Sequence, residues 1–63
     1  MQPHQQRVVD EKTELDSKIE RLRAFFDTPI YGGLPEAERT RLQTQRIAMS
    51  TYSEILGERI AAF

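Results

Sequence analysis

The sequence predicts an all-α protein: a two-helix antiparallel hairpin, coiled-coil-like, assembling into a homo-oligomeric bundle. Three observations carry this. Two long stretches, Gln2 to Phe26 and Pro35 to Phe63, set apolar residues at helical spacing among good helix formers. A short segment holding Asp27-Thr28-Pro29 and Gly32-Gly33 separates them. Apolar positions also recur every seven residues: Val8, Leu15 and Leu22, then Leu42, Met49, Leu56 and Phe63. That period suits two helices packed at a shallow angle.

The first helix is expected over about residues 3–27. Pro3 fits the first helical turn, where a missing N–H costs nothing. Neither Gly nor Pro interrupts the run, and Glu14 and Lys18 form an i,i+4 pair of opposite charge. Thr28 precedes a proline and is biased out of the helical region, which ends the helix. A turn is expected over about 28–34, with Gly32-Gly33 free to take positive φ and reverse the chain. Pro35 suits the start of a second helix over about 35–62, with Glu36 and Glu38 at its positive end. Gly57 weakens that helix by about 1 kcal/mol relative to Ala and implies close approach of another helix. A reversal near Tyr31–Gly33 brings Leu22 to Leu42, Leu15 to Met49 and Val8 to Leu56.

Sixty-three residues make a single domain, 1–63, and one hairpin of this size buries little apolar surface. The chain has no Cys and one His, His4, so disulfides and thiolate zinc sites are excluded and a metal centre has no donor set. Oligomerisation is the remaining source of stability. Nine Lys and Arg against ten Asp and Glu leave a net charge of −1, which argues against a DNA or RNA polymer as partner. No apolar run of membrane-spanning length and no apolar leader occurs in the sequence, so a cytoplasmic protein is expected.

The helical stripes are not purely apolar. At 100° per residue Glu11 and Lys18 fall with Val8, Leu15, Ile19, Leu22, Phe25 and Phe26. Gln45 and Arg59 fall with Leu42, Ala48, Met49, Tyr52, Ile55, Leu56, Ile60 and Phe63. A charge on a buried seam costs stability unless it is paired. One reading is a network across the hairpin, in which Glu11 accepts from the Tyr52 hydroxyl and from Arg59 and fixes register. The other is a ligand site, in which Lys18 and Arg59 meet a phosphate, Gln45 reads a base edge and Tyr52 stacks on a base. The two are compatible if the ligand lies between subunits. The arginines Arg39 and Arg46 share a face and read as solvated charge. Val9, Ile47 and Ala61 lie off the stripes and suggest a second packing surface. The glycine pair ahead of the second helix reads as a hairpin turn, because Pro35, Glu36 and Glu38 disfavour an anion there. No nucleophile has a histidine at workable spacing, so no enzyme activity and no cofactor are expected.

The segments Q-Q-R-V-V-D-E-K-T-E-L-D-S-K-I-E-R-L, L-P-E-A-E and L-Q-T-Q-R-I-A-M-S-T-Y-S-E-I-L-G-E-R-I together resemble a family of very small bacteriophage helical-hairpin proteins named after a crAss-like phage gene product. The recurring residue types match Arg7, Glu11, Lys18, Gln45, Met49, Tyr52 and Arg59 among others. More distantly, an L-Q-x-Q-x-x-x-M pattern in the second helix is similar to phage anti-CBASS and anti-Thoeris sponge proteins. Those are small oligomers that hold cyclic nucleotide signals between subunits without cleaving them. The resemblance implies a counter-defence protein in the cytoplasm of the infected bacterial host. Its ligand would be a cyclic dinucleotide or trinucleotide, or a cyclic ADP-ribose isomer. Lys18, Arg59 and Arg7 would then contact phosphate, Tyr52 and Met49 the bases, and Gln45 a base edge. Glu11 would orient Arg59 or accept from a sugar or base. The rivals are a helical module that directly inhibits a host or phage protein, and an assembly bundle whose polar seam only sets register.

Overall fold

A computed structural model describes residues 1–63. The chain is an elongated helical hairpin of 45 × 15 × 13 Å. Helix α1 spans Pro3–Phe26, a one-turn helix α2 spans Pro29–Gly32, and α3 spans Glu36–Ala61. Pro3 opens α1, and the Gln5 side chain accepts the free backbone N–H of Gln2 at 2.9 Å. Such closure matters because the first N–H groups of a helix have no partner within it.

The connector differs from the expected glycine reversal. No residue, glycine included, has positive φ. The direction changes at Thr28, which is extended at φ −98, ψ 153 ahead of Pro29. Its hydroxyl donates to the Phe25 carbonyl at 2.7 Å and accepts the Tyr31 N–H at 3.4 Å. One oxygen therefore closes α1 and opens α2. Gly33 remains near helical geometry at φ −84, ψ −6, and extended Pro35 (φ −55, ψ 147) then launches α3. Threonine and proline supply the bend, so the freedom of the glycines goes unused.

Tyr31 locks this corner. Its ring lies 4.8 Å from that of Phe26 and 6.1 Å, edge-on, from that of Phe25. Its hydroxyl accepts from Gln43 Nε2 at 2.8 Å, which ties α2 to α3. Glu36 and Glu38 occupy the first turn of α3, where negative charge is favoured, and Arg41 pairs with Glu38 at 2.9 Å.

The core is small. Val8, Ile19, Leu56 and Ser53 are the buried residues, and Leu56 alone has no exposed surface. Around them Leu15, Leu22, Phe25, Phe26, Leu42, Met49 and Ile60 are half-buried. Gly57 faces α1: a Cβ placed there would meet Lys12 Cε at 3.5 Å. The glycine leaves room for the lysine's alkyl stem to lie across α3, a contact with a side chain and not with the backbone of the opposite helix.

Candidate functional site

The polar residues that face the partner helix lie one or two positions from those singled out in the sequence. On α1, Lys12 and Asp16 turn toward α3, while Glu11 and Lys18 are exposed. On α3, Arg46 and Ser53 turn inward, while Gln45, Tyr52 and Arg59 are exposed. Adjacent helical residues differ by 100°, so one step moves a side chain from the seam to its flank. The expected network is absent: no hydrogen bond or ion pair joins Glu11, Tyr52 and Arg59. The apolar residues that drew the axis outward, Tyr52, Ile55 and Phe63, are themselves 42%, 48% and 48% exposed.

In place of that network is a closed triangle. Lys12 Nζ donates to Asp16 Oδ2 at 3.0 Å and to Ser53 Oγ at 2.8 Å. The Ser53 hydroxyl donates to Asp16 Oδ1 at 2.5 Å. Ser53 is buried, so an unbonded hydroxyl there would cost stability; the triangle satisfies it. The Ser53 hydrogen bond, followed by that from Lys12, holds the Asp16 carboxyl below its usual range, against the opposing effect of partial burial. These are the cross-helix polar bonds of the seam, and they place Ser53 opposite the Lys12–Asp16 turn.

Arg39 and Arg46 also depart from the expected solvated face. Both are half-buried, neither has a carboxylate partner, and the Arg39 Nε is enclosed without an acceptor. Nothing in their spacing distinguishes them from solvated arginines; only the hairpin's rotation about α3 turns them in. Of the off-stripe residues, Ile47 is exposed and Val9 half-buried.

The remaining candidates are distributed over the two long helices. Arg7, Glu11 and Lys18 stand on the solvent side of α1. There Thr13, Glu14, Ser17, Lys18 and Arg21 line a shallow depression, with Arg21 Nη1 donating to Ser17 Oγ at 2.9 Å. Gln45, Tyr52 and Arg59 lie on the outer side of α3. Half-buried Met49 sits at its inner edge, and its sulfur lies 3.9 Å from Gln45 Nε2. Lys18, Arg7 and Arg59 have no ion partner.

Comparison with known proteins now bears on this geometry. The sequence model of the Sequestin family matches residues 2–62. The chain belongs to the Sequestin family. The family name describes sequestration and specifies no ligand. No curated protein and no solved structure matches the chain. For this Sequestin chain, no helix is long and apolar enough to cross a membrane.

Proposed function

We propose that this protein is a phage counter-defence protein. It would bind and sequester a host immune signalling nucleotide, of cyclic oligonucleotide or cyclic ADP-ribose type, without cleaving it. It would act as a homo-oligomer in the cytoplasm of the infected host, as a stoichiometric binder and not an enzyme. Membership of the Sequestin family over nearly the whole chain carries this reading. The exposed cations support it. Lys18 and Arg59 lack carboxylate partners, so their donors remain available to a phosphate. Lys18 stands beside Arg21 and the hydroxyls of Thr13 and Ser17, and Tyr52 offers a half-open ring for stacking. In this reading Arg7 adds a third cation, Gln45 and Met49 border the base, and Glu11 accepts from a sugar or base or orients Arg59.

Native mass spectrometry of the purified protein with cyclic di- and trinucleotides and cyclic ADP-ribose isomers tests the proposal. A fixed stoichiometry of one nucleotide is expected, lost in Lys18→Ala or Arg59→Ala while helicity by circular dichroism persists. Binding retained in both variants would remove these residues from the site. Failure to bind any of the panel would favour direct inhibition of a protein, a reading to which the exposed apolar residues of α3 lend weight.

A further inference from the structure

The apolar stripe of α3 is wider than one partner helix can cover. Its inner edge, through Leu42, Met49, Leu56 and Ile60, packs on α1. Its outer edge holds Ala48, Tyr52, Ile55 and Phe63, all exposed, with Gln45 and Arg59 as the polar members. These fall within one helical sector and nothing in the chain lies over them. Only Val8, Ile19, Leu56 and Ser53 are buried in the hairpin, so further apolar burial for so small a chain has to come from a second surface.

We infer that this outer stripe of α3 packs against the same stripe of a second copy, with the two α3 helices antiparallel about a two-fold axis between Ser53 and Glu54. The stripe's one charge determines direction. A parallel pair would set Arg59 against Arg59 of the second copy. In the antiparallel pair Arg59 moves to the level of Ala48 of the second copy, where the small residue leaves room for its stem. Tyr52 then meets Ile55 of the second copy at the centre. Opposed helix dipoles favour the same direction. Near each end Arg59 of one chain and Gln45 of the other come to neighbouring levels, forming two equivalent polar corners. This deepens the oligomer of the proposed function and rests on that reading only for self-association.

Two experiments without nucleotide test it. Sedimentation equilibrium should show a dimer or a multiple of it, and Ile55→Lys should raise the dissociation constant at least tenfold. A wild-type monomer at all concentrations, or an unchanged Ile55→Lys assembly, overturns the inference. If Ile55→Lys unfolds, cross-linking decides. The chain has no cysteine, so introduced thiols are its only ones. Mixed Ala48→Cys and Arg59→Cys chains should form a heterodisulfide. Neither alone should couple to itself, because like positions lie about 16 Å apart by helical rise. Self-disulfides at Ala48→Cys, which keeps Arg59, without the mixed product overturn the antiparallel face. Nucleotide binding by an unsubstituted protein that fails these tests would leave the sponge reading standing, whereas the expected dimer with no nucleotide binding would remove it.

Discussion

The two sides of α3 carry nearly the same kinds of residue and treat them in opposite ways. On the inner side, Ser53 and Leu56 are buried, and the polar groups close a triangle with Lys12 and Asp16. On the outer side Tyr52, Ile55 and Arg59 meet solvent, and Arg59 has no ion partner. Ser53, turned inward, is satisfied within the chain, whereas the enclosed Arg39 Nε is not. An outward one keeps its hydrogen-bonding capacity for something else. The contrast teaches that polar character within an apolar stripe does not by itself mark a binding residue. What marks it is exposed polar character together with a missing intrachain partner, a condition that Arg59 and Lys18 meet and Lys12, Arg39 and Arg46 do not.

This contrast can be broken by substitution. The largest effect is expected at Leu56, whose side chain is wholly enclosed. Leu56→Ala should cost about 2–5 kcal/mol, enough to unfold a hairpin this small, as seen by urea or thermal melts followed by circular dichroism. A loss below about 1 kcal/mol would mean that the seam packs loosely.

Next comes the triangle. Asp16→Ala should destabilise by about 1 kcal/mol or less, since half of the aspartate side chain is open to solvent. Its acid response sharpens the point. The folded carboxyl titrates below its unfolded value, so its contribution is complete above about pH 4 and is lost as the pH falls through the lower folded value. Asp16→Asn should therefore flatten the melting temperature between pH 5 and 2, both limits about one to two units from the free carboxylate value. A slope equal to wild type would assign the acid sensitivity to other carboxylates.

A change of opposite sign is expected at Gly57. The added methyl of Gly57→Ala meets Lys12 Cε at ordinary contact distance, so the gain in helix propensity, about 0.5–1 kcal/mol, should appear as a higher melting temperature. A lower one would show that the Lys12 stem cannot give way. The smallest effect belongs to the outer surfaces. Lys18→Ala should change hairpin stability by no more than about 0.5 kcal/mol, while removing nucleotide binding if the sponge reading holds.

Much of the fold was legible in the sequence, and the reasons are local. Uninterrupted helix formers, Thr28 before Pro29, and Pro35 ahead of two glutamates act within a turn or two of themselves, so α1, α3 and the break between them could be read directly. The corner was legible only in part. Glycines advertise positive φ, but Thr28's hydroxyl and the stacking of Tyr31 on Phe25 and Phe26 built the bend without it.

The candidate site was legible in residue type but not in direction. Periodicity locates a stripe to within about one residue, because a 100° step still leaves both neighbours near an apolar sector wide enough to include them. On α3 that sector merges two surfaces: one packed on α1, the other open from Ala48 to Phe63. The sequence alone determined that two amphipathic helices would form and reverse near residues 28–35, since propensity and proline geometry need no distant partner. Only the tertiary structure decided that Lys12, Asp16 and Ser53 close on one another while Lys18, Tyr52 and Arg59 face outward. That choice depends on the rotation of each helix about its own axis, which is set by the best joint burial of Val8, Ile19 and Leu56, residues far apart in the chain.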